Sequence, residues 1–400
     1  MNSIINQYQK IIIYGAQKFA VATSIYMQLK YSDKEIYAAV TTKVRNPEEI
    51  AGIKVHEIEE LSCIKSEALV IISVRKYATD IERVLQEKGF YNYIEMDYSV
   101  LQDLSLDYRR FIGEKAGQIV KELISANQIK GEEIAAYIGR FHRKLTIDIQ
   151  IVGHCNLNCQ SCNVFSPLVN QEFMELNEFS KDLSRLKQLV PEGELQRLTL
   201  IGGEPLLHPC LRDFILESRN FFPDTELCIF TNGIKLLDFE DEFFELLHTQ
   251  NVNLIYTEYP IDVDYKEIEK RLIEHKIKYY VFNGQTEIKK LHKLIHNLAG
   301  EYDANLNFIR CPRAGAETCI KNHKVFACSI APSFTRLNRF FHTDIVLGEN
   351  DGADLFSIES YQELLENILR PMEACRFCGA CNVVEELEWK TSERKITEWV

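Results

Sequence analysis

The chain has 400 residues, with 59 acidic against 46 basic side chains and a formal net charge of −13; with no basic block along it, nucleic acid is not expected as a partner. A single core stops growing near ~250–300 residues, so two or three domains are expected. The opening run MNSIINQYQKIIIYGAQ is too short in apolar length for a membrane span and has no small-residue cleavage site, so the chain reads as cytoplasmic, and its twelve cysteines are expected in metal or redox chemistry rather than disulfides.

Residues 11–98 alternate strand and helix signals. KIIIYGA, EIYAAVTT, ALVIISV and YNYIEMD read as strands, and KFAVATSIYMQL and ATDIERVLQEKGF as helices, which predicts a small doubly wound sheet. IIIYGAQKFA resembles the first strand, turn and helix of a Rossmann unit, but only Gly15 stands in place; Gln17 and Ala20 replace the next glycines, and the second strand ends in VTTK without an acidic residue for a ribose. A docking or substrate-carrying role is favoured over a dinucleotide site. The expected domains are a Rossmann-like domain over 1–100, a helical connector over 101–143, a barrel over 144–305 and a cysteine-rich region over 306–400.

The barrel series opens with LTIDIQIV and continues through a helix with Phe179, Leu183, Leu186 and Val190 on one face, then LQRLTLI, LRDFILESRNFF, ELCIFTN, FEDEFFELLH, VNLIYTEY, YKEIEKRLIEH and KYYVFN. This order predicts a parallel sheet, open or closed into part of a barrel, with active residues at the carboxyl ends of its strands. Cys155, Cys159 and Cys162 follow directly on the first strand. Three thiolates at this spacing can wrap one face of an iron–sulfur cube and leave one iron open. Zinc is the alternative, with His154 as a conceivable fourth ligand.

CNLNCQSC is the CxxxCxxC signature of the radical S-adenosylmethionine enzymes, and IGGEPLLHP resembles their GGEP motif. The resemblance implies an α/β fold with a partial (β/α)6 barrel of the radical S-adenosylmethionine type. It also implies a 4Fe–4S cluster on Cys155, Cys159 and Cys162, with S-adenosylmethionine on the open iron, cleaved after one-electron reduction to a 5′-deoxyadenosyl radical. Gly202 and Gly203 would let the backbone approach the methionine amino group, Glu204 would offer it a carboxylate, and Pro205 would stiffen the turn. Thr231 and Asn232 of TNG, and Thr257 and Glu258 of YTEYP, fall where members place groups near the ribose and methionine. Ser161 stands where many members carry an aromatic residue, leaving Val164 or Phe165 as candidates beside adenine.

CNLNCQSCNVFSPL, GGEPLLHP, TEYPI, CRFC and EWKTSERKITEWV together resemble a group of bacterial radical proteins linked to surface-polysaccharide biosynthesis. Cys311 and Cys328 bracket sixteen residues, similar to the hairpin that opens SPASM and twitch auxiliary-cluster domains, with His323 where those have glycine. Cys319, Cys375, Cys378 and Cys381 complete six candidates for one auxiliary 4Fe–4S cluster, with zinc as the alternative. Cys63, Cys210 and Cys228 are expected to be buried apolar side chains. The expected function is oxidation or epimerisation of a sugar, nucleotide-sugar or polyol precursor, with electrons from a donor such as flavodoxin or ferredoxin. The alternatives are peptide modification, against which the Rossmann-like rather than winged N-terminal domain argues, and a non-catalytic iron–sulfur or zinc redox sensor.

Overall fold

Ile11, Ile12 and Ile13 are all fully buried, which a strand achieves only when both faces of its sheet are covered. They belong to the first of two units into which a computed structural model divides, Met1–Arg143 and Lys144–Val400. The structure describes residues 1–43, 46–74, 78–282, 290–348, 351–381 and 384–400.

In the first unit, β1 (Lys10–Tyr14), β2 (Glu35–Val40), β3 (Glu49–Ile50), β4 (Ile53–Glu57), β5 (Ala68–Ile72) and β6 (Tyr93–Glu95) form one sheet of order β3-β4-β2-β1-β5-β6. All pairs are parallel except β3 with β4. That hairpin turns through Ala51 and Gly52, both at positive φ, as tight hairpins require. The segment expected as a connector instead folds within this unit. Its helix Gly131–Ile138 buries Ile134, Ala135, Tyr137 and Ile138, and a Cβ on Gly131 would stand 1.7 Å from the Tyr98 carbonyl oxygen, so only glycine permits this approach. Cys63 and Cys210 are exposed, contrary to expectation, and only Cys228 of the three is buried. Cys63 sits in the short turn Ile58–Ile64, and Cys210 stands just before the helix Leu211–Phe221, where neither has a sheet to cover it.

The second unit holds β7 (Leu145–Val152), β8 (Leu195–Gly202), β9 (Glu226–Thr231), β10 (Val252–Tyr256), β11 (Tyr279–Val281), β12 (Lys290–Leu294), β13 (Thr318–Lys321), β14 (Lys324–Phe326), β15 (Ala353–Asp354) and β16 (Val384–Glu388). Asn283, at the end of the KYYVFN run, lies outside the described residues. The main sheet has the order β11-β10-β9-β8-β7-β13-β14-β15. β7 to β11 are parallel in chain order, joined by the helices Leu176–Leu189, Leu211–Phe221, Asp241–Thr249 and Tyr265–Glu274, with Phe179, Leu183, Leu186, Phe214, Phe243 and Leu247 fully buried. The fold is thus the α/β class expected.

The cysteine-rich region does not stand apart from this sheet. β13 lies parallel on the free edge of β7, with Thr318 opposite Ile147 and Ile320 opposite Ile149. β14 returns antiparallel through Asn322 and His323, both at positive φ. β12 and β16 form a separate antiparallel ribbon. Among the described residues, no helix is long and apolar enough to cross a membrane.

Candidate cluster-binding site

The CxxxCxxC loop leaves the carboxyl end of β7, and the GGEP segment leaves the adjacent end of β8. The backbones of these exits touch. Gly203 N donates to Val152 O at 2.7 Å and Glu204 N to His154 O at 3.0 Å. A Cβ on Gly202 would stand 2.2 Å from Val152 O, and one on Gly203 2.0 Å from His154 O. In the structure, both glycines are required by the cysteine loop next to them, whereas the sequence pointed to the approach of a ligand.

Glu204, 1% exposed, ties the next strand to this pair. Its Oε1 accepts from Leu206 N at 2.9 Å and Thr231 Oγ1 at 2.6 Å, and its Oε2 from Asn232 N at 2.8 Å. Burial nevertheless pushes its carboxyl up to about 7, the three hydrogen bonds opposing the shift. Asn232 Nδ2 then donates to Asn156 Oδ1 at 2.9 Å and lies 3.6 Å from Cys155 Sγ. Thr257, buried just after β10, donates its N–H to Thr231 O at 3.2 Å. Pro205 opens the short turn Pro205–Leu207, which the Glu204 side chain caps. Glu258 is part-exposed beside Thr257. The predicted residues of four motifs therefore meet at the carboxyl ends of β7 to β10.

The sulfurs of the loop receive N–H groups. Leu157 N lies 3.4 Å from Cys155 Sγ, and Trp389 Nε1 lies 3.2 Å from Cys159 Sγ. Donors aimed at sulfur suit thiolates bound to iron, whose charge such bonds stabilise. Burial pushes the free thiols up, Cys155 to about 11 and Cys159 to about 12, so metal binding there must release protons. His154 is engaged elsewhere: its Nδ1 accepts from Glu172 N at 3.2 Å, and its ring meets Phe173 edge-on. Phe165 is fully buried against Phe334, His296 and Trp399, which removes it as a partner for adenine.

Sequence reasoning missed the role of the C-terminal tail. Gln160 N donates to Lys390 O at 2.9 Å, and Ser392 N to Asn158 O at 2.8 Å. Ser161 Oγ donates to Glu398 O at 2.7 Å, and Trp399 Nε1 to Cys162 O at 3.0 Å. Glu398 organises the turn by accepting from Ser392 Oγ at 2.5 Å and Glu393 N at 2.7 Å. The only sequence signal was the closing EWKTSERKITEWV, which carries no metal-ligand pattern.

Five of the six remaining candidate cysteines, Cys311, Cys328, Cys375, Cys378 and Cys381, line one small cavity. Asn307 Nδ2 donates to the carbonyls of Cys375 at 2.6 Å and Cys378 at 2.8 Å, and Cys381 Sγ lies 3.2 Å from Asn307 O. Burial raises the thiols of Cys328, Cys375 and Cys378, the last to about 12, and a hydrogen bond with Cys311 together with burial raises that of Cys381. Cys319 is not among them. It lies in β13, fully buried and opposite Asp148 of β7 in the sheet. Among the described residues, no three His, Cys, Asp or Glu side chains group closely enough to hold a single ion; a cluster brings its own irons between more widely spaced sulfurs.

Residues 148–277 match the family described as "4Fe-4S single cluster domain", a third of the chain. The chain is 33% identical over 103 residues to the GTP 3′,8-cyclase of Campylobacter jejuni subsp. doylei, covering 26% of this chain and 32% of that protein. It is 28% identical over 103 residues to the GTP 3′,8-cyclase of Nautilia profundicola, again 32% of that protein. The match thus spans about a third of the length of these curated relatives. The solved structure titled "Crystal structure of BtrN in complex with AdoMet and 2-DOIA" aligns with a TM-score of 0.39 at 15% identity, over 60% of this chain and 96% of that one. Streptococcus suis SuiB bound to precursor peptide SuiA aligns with a TM-score of 0.30 at 15% identity, over 76% of this chain and 84% of that one. The match to a 4Fe–4S single cluster domain over residues 148–277 thus falls on the strand ends where the CxxxCxxC and GGEP motifs are joined.

Proposed function

We propose that the chain is a radical S-adenosylmethionine enzyme that oxidises or epimerises a sugar, nucleotide-sugar or polyol precursor of surface polysaccharide in the cytoplasm. The observation that carries the enzymatic reading is the hydrogen-bonded chain Cys155–Asn232–Glu204–Thr231, which makes the cysteine loop, GGEP and TNG one unit. The sugar-type substrate is supported by the motif resemblance and by the doubly wound first unit.

In this reading Cys155, Cys159 and Cys162 hold the cluster. When bound, the cluster and S-adenosylmethionine supply one-electron cleavage of a sulfonium and abstraction of hydrogen, with the electron from a flavodoxin or ferredoxin. A carboxylate has about four lone-pair sites, and the three donors on Glu204 leave one for the methionine ammonium. Thr231 and Asn232 fix that carboxylate, while Gly202, Gly203 and Pro205 fix the turn that presents it. Thr257 and Glu258 stand at the next strand end, where they would contact the ribose. Cys311, Cys328, Cys375 and Cys378 hold one auxiliary 4Fe–4S cluster, with Cys381 able to replace one of them.

Replacing Cys155, Cys159 and Cys162 together by alanine should abolish 5′-deoxyadenosine formation by the reduced, reconstituted protein while about one cluster's worth of iron remains. Cleavage that survives the triple substitution overturns the cluster assignment. A wild-type chain that binds iron without cleaving S-adenosylmethionine is a sensor, not an enzyme. Turnover of a precursor peptide, with none across a panel of nucleotide sugars and glycan precursors, overturns the substrate class.

A further inference from the structure

The tail after β16 lies along the cysteine loop residue by residue, and one of its contacts reaches a sulfur. Lys390 O and Ser392 N bond Gln160 N and Asn158 O on either side of an antiparallel bridge between Thr391 and Cys159. This pairing sets Trp389 so that its indole Nε1 stands 3.2 Å from Cys159 Sγ, with its ring 6.1 Å from that of Tyr259. Indole N–H is a donor with no acceptor role, so the contact has one polarity: the N–H donates and the sulfur accepts. Cys155 is served from the barrel by Leu157 N and Asn232 Nδ2. Cys159 is served by the tail, with the Tyr259 hydroxyl beside it.

A cluster that takes up one electron becomes more negative by one charge, part of which spreads onto its thiolate sulfurs. An N–H pointed at such a sulfur attracts the reduced form more strongly than the oxidised form, and so raises the reduction potential. We propose that Trp389 is a tuning residue of the three-cysteine cluster, its indole N–H holding the reduction potential above the level that the barrel's own donors would set. The tail thereby makes reduction easier and S-adenosylmethionine cleavage accessible to a weaker electron donor. The proposal rests on the assignment of Cys155, Cys159 and Cys162 as cluster ligands.

The test is a potentiometric titration of the full-length, anaerobically reconstituted protein with dithionite as reductant, followed by electron paramagnetic resonance. The signal that changes on adding S-adenosylmethionine identifies the three-cysteine cluster. Two variants remove the N–H: Trp389→Phe, and 3-benzothienylalanine at position 389, which keeps the fused-ring shape with sulfur in place of N–H. Both should retain full iron and shift the reduction equilibrium about tenfold against the reduced cluster, a fall of ~59 mV for one electron. An unmoved or higher midpoint in a fully loaded variant overturns the proposal. So does failure of both variants to take up iron while the wild type loads, which would make Trp389 a structural support only. A wild-type chain that takes up no iron at the three cysteines refutes the ligand assignment itself, an outcome distinct from a loaded cluster with an unchanged potential.

Discussion

Glu204 combines full burial, three hydrogen-bond donors and a carboxyl raised to about 7. An ordinary Glu titrates near ~4.3, so between about pH 4.3 and 7 the folded protein holds a proton that the unfolded chain would release. In the ligand-free protein this group's contribution to stability is therefore lost as pH rises through that window. An ammonium beside Glu204 reverses the balance by favouring the carboxylate. The expected outcome is that S-adenosylmethionine binds about tenfold more tightly at pH 8 than at pH 6, since the carboxylate fraction rises from roughly a tenth to nine-tenths around a value of 7. Equilibrium dialysis of the reconstituted protein measures this. Glu204→Gln should bind weakly and without that pH dependence, and a wild-type affinity that stays flat from pH 6 to 8 would remove Glu204 from the ammonium site.

At the scale of an element, the β13–β14 hairpin shows how a position that favours glycine can hold a histidine. His323 adopts φ +61°, and its Nδ1 stands 2.6 Å from Oδ1 of Asp182, a fully buried carboxyl on the helix Leu176–Leu189. Burial raises the Asp182 carboxyl, and the imidazole opposes that shift. His323→Ala keeps the strained backbone and strips Asp182 of its partner, a loss of ~1–3 kcal/mol. His323→Gly loses the same partner but relieves the positive φ, worth ~1–2 kcal/mol. Thermal melts should place both wild type and the glycine variant above alanine; equal melting of wild type and alanine would show that the bond contributes nothing. The hairpin was legible from the spacing of Cys311 and Cys328, but its place in the main sheet was not. TCIK is four residues with no long apolar run, so nothing local distinguished an edge strand of the barrel from part of a separate module. The parallel strands of both units were legible because buried runs such as KIIIY and LTIDIQIV tolerate few alternatives. The tail's contacts with the cysteine loop were not, since they run mostly through backbone groups that every residue carries.

Over the whole molecule, the short strand β13 closes an edge that the chain leaves bare for most of its length. Thr146 Oγ1 donates to Ala316 O across 170 residues of sequence, and Cys319 and Ile320, next along β13, are fully buried. A chain ending at Arg310 would expose the β7 backbone as an unpaired template for other chains. That truncation should pellet as aggregate in sedimentation of a fresh lysate, whereas a soluble, monodisperse truncation would mean that the edge needs no cover.

The same long-range pairing places a clock on biosynthesis. A ribosome adds about 5–20 residues per second, so some 10–30 s pass between the emergence of β7 and that of β13 across those 170 residues. Throughout this interval the nascent sheet has no edge partner, and the tail residues that cover the cysteine loop, Trp389 to Trp399, appear later still. During synthesis, then, the three thiols stand open until residues 389–399 emerge and close over them.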